Sequence, residues 1–240
     1  MFISYTHGLT CSPTAEEEDI LKLNRALAYL KSGHFDAAIT DINTTSEATQ
    51  ASEKALRRKA LALYNLHRFA ECKEVLELLC SKHSSNAAQA ELARTNARLV
   101  EAQTGVYNFK GLYQEANKLR PPHLDHATYM GPVEVKKCGS KGRALFTTAA
   151  VKAGDLLLCE KAFAHAFVEM KESVPSAPIV LLIHAESNTM CMGMQAELIA
   201  LIVQKLFRNP SLSDKVTDLY HGAYKPVDVS SVDGNSLVDS

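Results

Sequence analysis

The sequence predicts an α+β protein in which an N-terminal array of helical hairpins is followed by a β-rich region. Within residues 19–82, the same apolar pattern occurs twice at a spacing of 34 residues, which indicates repeated helix pairs. The Pro121-Pro122 pair then ends the helical periodicity. Farther along, short alternating segments separated by glycine-containing turns indicate strands. We therefore expect two domains, residues 15–120 and residues 121–240.

The charge balance excludes one large class of function. Of the 240 residues, 46% are hydrophobic and 22% are charged, and the formal net charge at pH 7 is −1. Proteins that bind nucleic acid directly normally carry a basic excess. We therefore expect protein or peptide partners and no direct contact with nucleic acid.

Targeting and metal-binding signals are also missing from the sequence. The first residues lack the basic and apolar regions of a secretory signal, and the apolar stretches are far shorter than the roughly 20 residues that a membrane span needs. The six cysteines include no CxxC pair, as expected for free thiols in a reducing compartment. The nine histidines are dispersed, and we expect His165 and His184 to be core residues rather than ligands. These features predict a soluble intracellular protein of the nucleus or cytoplasm, with no membrane contact and no metal.

The first helix of the array is predicted to begin near Ala15. Thr14 followed by Glu17 has the form of a capping box, and the acidic run that starts at Glu16 suits the positive end of a helix dipole. Residues 1–13 show no such signal, and we expect them to be irregular.

Four positions recur at the 34-residue spacing: Ala26 and Ala60, Tyr29 and Leu63, Phe35 and Phe69, Ala38 and Cys72. Small residues allow two helices to approach closely, and the phenylalanines would fill the space beside each turn. Gly33 suits the left-handed conformation that ends a helix. The pattern resembles the tetratricopeptide repeat, and two unrelated amphipathic hairpins are the alternative. We predict that both phenylalanines lie in the interhelical core.

The remaining elements follow from local pattern. Residues 86–103 are off the repeat register and are expected to form a helix that closes the solenoid, followed by a helix over residues 107–119. The alternating and short apolar segments predict strands at residues 133–136, 144–148 and 156–159, and further helices at residues 195–207 and 212–220.

The first candidate site is the groove of the repeats. Asn24 and Arg58 hold equivalent positions in the two units, and Lys54 lies one helical turn before Arg58. Together they would offer charge-assisted hydrogen bonds to a carboxylate of a bound peptide. They resemble the later part of the carboxylate clamp of chaperone-binding repeats. A solvated basic face on a structural repeat is the alternative.

The second candidate site depends on a longer resemblance. The segments Gly-Pro-Val-Glu-Val (131–135), Lys-Gly-Arg-Ala-Leu-Phe-Thr-Thr (141–148) and residues 151–163 resemble the opening of a SET domain. Residues 19–240 as a whole resemble fungal proteins that join tetratricopeptide repeats to a SET domain and are related to the SET-and-MYND methyltransferases. The resemblance implies transfer of a methyl group from S-adenosylmethionine to a protein lysine.

In SET enzymes a Lys-Gly-x-Gly turn lies against S-adenosylmethionine. Lys141, Gly142 and Arg143 match this turn, and Ala144 replaces the second glycine. If position 144 required a positive φ, the alanine Cβ would cost about 1 kcal/mol. A turn that binds no ligand is the alternative.

Two further elements of the family do not occur in these 240 residues. There is no Asn-His dipeptide, and the last tyrosine, Tyr224, falls in the predicted helical insert. The expectation is therefore an incomplete SET-like domain that lacks the catalytic half, with an exposed apolar edge at residues 156–158 and 198–203. The alternatives are a non-enzymatic interaction module and a co-chaperone-like adaptor.

Overall fold

The computed structural model describes residues 2–83, 85–167, 181–184 and 188–219. The α-helices are α1 Phe2–Thr10, α2 Ala15–Lys31, α3 Phe35–Asn43, α4 Glu47–Gln50, α5 Glu53–Asn65, α6 Phe69–Lys82, α7 Asn86–Thr104, α8 Phe109–Lys118, α9 Met194–Arg208 and α10 Asp214–Thr217. The strands are β1 Tyr129–Met130, β2 Val133–Lys137, β3 Arg143–Thr147, β4 Leu158–Cys159, β5 Leu181–His184 and β6 Thr189–Met192.

The capping box at the start of α2 is confirmed. The Thr14 amide donates to Glu17 Oε2 at 2.9 Å, and the Glu17 amide donates to Thr14 Oγ1 at 3.3 Å. Two of the unpaired amide groups at the helix start are satisfied in this way. The helix accordingly begins at Ala15, where the sequence predicted it.

The two predicted hairpins appear as the helix pairs α2–α3 and α5–α6. Helices α3 and α6 begin at Phe35 and Phe69, and α2 and α5 end at Lys31 and Asn65, so both boundaries recur after 34 residues. Each pair packs internally, and α5 also packs against α2 and α3. The assignment of these pairs to the tetratricopeptide family stays a prediction.

The two turns share an unusual backbone conformation. Gly33 has φ +76°, and His67, at the equivalent position of the second pair, has φ +60°. A residue with a Cβ adopts this conformation at some cost. At His67 the imidazole stacks on the Phe69 ring, with centroids 5.6 Å apart, a contact that offsets part of that cost.

The core lies between the repeated helices. Ala26, Ala60 and Ala38 are fully or almost fully buried, and Leu63, Leu76 and Leu79 fill the space around them. Phe69 is buried as predicted. Phe35 is only partly buried and packs at the edge of the core, because it lies where the second half of the chain meets the helices.

The expectation that residues 1–13 are irregular was wrong, since residues 2–10 form α1. Their local sequence is a poor helix former, but tertiary contacts to α2 outweigh that preference. The Phe2 ring lies 5.0 Å from the Tyr29 ring, and Arg25 donates to Thr6 Oγ1 at 3.1 Å. Gly8 lets the two helices approach, since a Cβ there would lie 3.2 Å from Leu21 Cδ2.

The strands of the second half form three separate antiparallel pairs, β1–β4, β2–β3 and β5–β6. The predicted strands correspond to β2, β3 and β4, whereas β1, β5 and β6 were not predicted. The predicted helix over residues 212–220 was wrong in its described part, which holds a 3₁₀ turn at Pro210–Leu212 and the short helix α10. Hydrogen bonds to the helical array hold residues 209 and 211 and set this turn, as described below.

Apolar side chains are exposed over much of the second half. Val135, Leu145 and Phe146 of the β2–β3 hairpin are all more than 40% exposed, and Val203 of α9 is 58% exposed. The predicted exposed edge is present in this part of the chain, because Leu158, Ile199 and Leu201 are also more than one-third exposed. A face of this kind is typical of a surface that packs against further polypeptide.

One buried side chain joins the two halves. Asn209, which is 3% exposed, accepts hydrogen bonds from the Phe35 amide at 2.8 Å and the Asp36 amide at 3.4 Å. It also donates to the Gly33 carbonyl oxygen at 2.9 Å. Helix α3 has no capping side chain of its own, so Asn209 acts as its N-cap across 174 residues of sequence.

We expect Asn209→Ala to lower the free energy of unfolding by about 2 kcal/mol, because it leaves two amides and a carbonyl unpaired at a buried site. Thermal and urea unfolding of the purified chain measure the loss. Asn209→Asp is the matched control, since it keeps an acceptor for the two amides and removes only the donor to Gly33. An alanine variant as stable as the parent chain would contradict this role.

Candidate functional site

The predicted cofactor turn connects β2 to β3. The Cys138 amide donates to the Gly142 carbonyl oxygen at 2.6 Å, and the Lys141 amide donates to the Cys138 carbonyl oxygen at 3.0 Å. Gly142 has φ +82° and ψ −133°, a conformation that is readily available only to glycine. The glycine at this position is therefore required by the turn itself.

Position 144 does not need a glycine. Ala144 lies inside the β2–β3 ladder, paired with Lys136, and it is not among the residues of positive φ. The expectation that alanine at this position carries a backbone penalty was therefore conditional on a conformation that the chain does not adopt. The departure from the Lys-Gly-x-Gly pattern costs no backbone strain.

The turn is open on its outer side. Lys141, Gly142 and Arg143 are exposed, and no heavy atom of the described structure lies within 4 Å of the place that a Cβ on Gly142 would occupy. Arg143 donates from Nη2 to the Asp218 carbonyl oxygen at 2.7 Å, which ties the turn to the end of α10. The turn therefore fits the close approach of a ligand on this one side.

The predicted groove residues lie on two helices that contact each other. Asn24 is half-buried on α2, Lys54 is exposed on α5, and Arg58 is half-buried on α5. Arg58 donates from Nη1 to the Leu23 carbonyl oxygen at 2.6 Å, and burial lowers the pKa of its guanidinium. Its remaining donors, with the Lys54 ammonium, are available for a carboxylate.

Asp125 forms the centre of a polar cluster that the sequence did not predict. Its carboxylate accepts from the Tyr64 hydroxyl at 2.9 Å and from Arg94 Nε at 2.7 Å. Arg98 Nη1 lies 3.0 Å from Asp125 Oδ2 and also binds the Asp125 carbonyl oxygen. The cluster ties the segment after the two prolines to α5 and α7.

Two groups in the cluster have shifted pKa values. Burial alone would raise the pKa of Asp125, but the hydrogen bonds from Arg94 and Tyr64 outweigh it and hold the pKa below its usual value. Burial and the hydrogen bond to Asp125 raise the pKa of Tyr64 to about 12. The cluster therefore contains an ionised carboxylate and a neutral phenol at neutral pH.

A cavity of about 600 Å³ lies between the helical array and the second half. Its charged and polar lining includes Lys161, Lys205, Arg208, His123 and His165. These residues come from three distant parts of the chain, and no spacing in the sequence signals that they meet.

The expectation of satisfied core histidines was wrong for His165. This residue is half-buried, and its buried Nε2 has no hydrogen-bond partner within the described part of the chain. The side chain of His184 lies outside the described residues. Within the ranges that the structure describes, no group of His, Cys, Asp and Glu could hold a metal ion.

No helix of the described ranges combines the length and the apolar character needed to cross a bilayer. The compartment is not tested by this observation.

The chain is similar to a protein named methyltransferase from Gibberella zeae. The two are 38% identical over 237 residues, which cover 98% of this chain and 32% of the relative. The chain thus spans about a third of the length of the relative it matches. No family model matches the chain, and no solved structure matches it at a significant level.

Proposed function

We propose that this chain forms part of an S-adenosylmethionine-dependent methyltransferase of the SET class that modifies lysine in proteins. The observation that carries the proposal is the similarity to the Gibberella zeae methyltransferase along 98% of the chain. The finer assignment, to SET and tetratricopeptide domains and to lysine, is supported by the motifs at residues 131–163 and by the helix pairs that recur after 34 residues.

The turn at Lys141, Gly142 and Arg143 would hold one side of the cofactor. S-adenosylmethionine would supply the methyl group. The chain contributes a backbone that a ligand can approach without meeting a Cβ at Gly142, and two cationic side chains that flank it. In this proposal Ala144 serves as an ordinary strand residue behind the turn.

The helical array would position the protein that is methylated. Asn24, Lys54 and Arg58 face a carboxylate-bearing peptide in this proposal, and Arg58 is already oriented by the Leu23 carbonyl oxygen. A fixed guanidinium loses less side-chain freedom on binding than a mobile one. The non-enzymatic alternative keeps this groove and assigns no ligand to the turn.

Cofactor binding by the turn separates these two functions. We expect S-adenosylmethionine to give saturation-transfer NMR signals with the purified 240-residue chain, a method that detects weak binding to a single wall of a site. Gly142→Val should weaken these signals about tenfold, because a tenfold loss of affinity requires only about 1.4 kcal/mol. The added side chain would occupy the space through which the cofactor approaches.

Gly154→Val is the matched control. Gly154 also lies in an exposed turn, with φ +96° and with no heavy atom within 4 Å of its Cβ position. Both variants therefore carry similar backbone strain, and only the first should affect the cofactor. No signal with the parent chain, or an equal loss in both variants, would contradict the proposed cofactor site.

Methyl transfer is tested separately, with radiolabelled S-adenosylmethionine and a histone and cell-extract mixture. We expect the full-length Gibberella zeae relative to label lysine side chains. The 240-residue chain should not, since it contains no Asn-His segment, and correct orientation of the amine and the methyl group supplies much of the rate of such a reaction. Label on small molecules or nucleic acid alone would refute the protein-lysine assignment.

A further inference from the structure

The cavity between the two halves combines apolar walls with a cationic interior. Phe35, Phe163 and Leu201 contribute apolar surface, and Lys161, Lys205 and Arg208 contribute positive charge. Its volume of about 600 Å³ lies within the range that is typical of small-molecule sites.

Positive charge in the cavity is not balanced. Glu197 is the one carboxylate among the described lining residues, against three cations. None of the ion pairs within the described ranges includes Lys161, Lys205 or Arg208. The lining therefore has an excess of two positive charges with the histidines neutral.

The cations are partly desolvated and close to one another. Burial lowers the pKa of Lys205, and the nearby Lys215 and Lys161 lower it further. Burial also lowers the pKa of Lys161, although Asp125 partly opposes this effect. The Lys205 ammonium is held by the Phe163 carbonyl oxygen at 2.6 Å and lies 4.4 Å from the centroid of the Phe163 ring.

Two histidines complete this side of the cavity. The rings of His123 and His165 are 4.6 Å apart, and the buried Nε2 of His165 has no hydrogen-bond partner within the described residues. A buried polar atom without a partner is uncommon in native proteins, and an unmodelled ion or ligand is one of its ordinary explanations.

We propose that this cavity binds a phosphate monoester that carries an apolar or aromatic group. Such a group has a charge close to −2 at neutral pH, which matches the excess of two positive charges. Its oxygens would accept from Lys161, Arg208 and His165, while Phe163 and Leu201 would pack against the apolar part. A free phosphorylated metabolite and a phosphorylated tyrosine of a protein share this chemistry. The proposal does not depend on methyl transfer.

Calorimetric titration of the full 240-residue chain with phenyl phosphate tests the site. We expect saturable binding that weakens with added salt, and about tenfold weaker binding in Lys161→Gln and in Arg208→Gln, the loss expected for one hydrogen bond to a charged group. Lys152→Gln is the control, because this lysine is exposed in a turn that does not line the cavity. Phenol should not bind, since it lacks the dianion, and inorganic phosphate should bind more weakly than phenyl phosphate.

A tyrosine-phosphorylated peptide distinguishes the two sources. Binding at least tenfold tighter than that of phenyl phosphate would support a protein ligand, and equal affinities would support a small molecule. Circular dichroism melting of each variant shows whether it is folded. The proposal is overturned if folded parent chain does not bind phenyl phosphate, or if the Lys152→Gln control loses as much affinity as the two cavity variants.

Discussion

Replacing Phe69 with alanine should lower the free energy of unfolding by about 3 kcal/mol or more. Phe69 is 7% exposed and begins α6, so its loss creates a cavity at the turn between α5 and α6. Its ring contacts Tyr64 edge-on at 5.2 Å and stacks on His67 at 5.6 Å. The stacking contact also supports the left-handed backbone of His67, so the substitution removes two stabilising effects at once. Urea unfolding followed by circular dichroism measures the change.

Phe35→Ala is the matched comparison, because Phe35 holds the same position in the first helix pair. It should cost less, since this ring is only partly buried at the edge of the core. The prediction for Phe69 is wrong if the two variants lose the same stability. An unchanged midpoint for Phe69→Ala would also remove the main support for the repeat assignment.

Asp125→Ala should destabilise the chain by about 3 kcal/mol, the cost expected when one partner of a largely buried ion pair is removed. Arg98, whose side chain is 13% exposed, would lose one of its two carboxylate partners, and the Tyr64 hydroxyl would lose its acceptor. The segment that links the helices to the second half would also be released from α7. Thermal unfolding measures the total loss.

The Asp125 carboxylate should also make stability depend on pH. The folded chain holds the pKa of Asp125 below its ordinary value of 3.8. A group with a depressed folded pKa stabilises the native state above its unfolded pKa, and this contribution is lost as the pH falls through the folded pKa. The difference in stability between the parent chain and Asp125→Asn should therefore be constant near neutral pH and shrink below about pH 4.

Asp125→Asn suits this comparison because it keeps the shape and the acceptor oxygen of the side chain but cannot ionise. A constant difference from pH 7 to pH 3 would show that the charge of Asp125 is not what stabilises the cluster. Arg94→Gln should reproduce part of the loss in Asp125→Ala, since Arg94 donates the shortest side-chain hydrogen bond to this carboxylate.

Much of the helical array could be read from the sequence because its information is local or periodic. The capping box at Thr14 and Glu17 acts within one helical turn, so it placed the start of α2 to the residue. The spacing between Phe35 and Phe69 predicted where α3 and α6 begin, since each repeat solves the same packing problem with the same residue types. The alternating pattern at residues 133–136 similarly predicted β2.

The candidate site was predictable only in its turn. Gly142 stands where the backbone needs a positive φ, and a glycine between two strand patterns carries that information locally. Whether Ala144 was strained could not be decided, because the cost depends on the ladder register that pairs it with Lys136. The groove residues Asn24 and Arg58 were matched by period, but the hydrogen bond from Arg58 to Leu23 depends on how α2 and α5 pack.

What the sequence by itself determined is therefore the repeated helix pairs, the change to strands after the prolines and the glycine of the β2–β3 turn. The tertiary structure alone decided the helix at residues 2–10, the capping of α3 by Asn209 and the meeting of Lys161, Lys205 and Arg208 around one cavity. These features join residues that are far apart in the chain. Their energies come from packing, desolvation and charge at contacts that exist only when the two halves come together, and no local pattern records them.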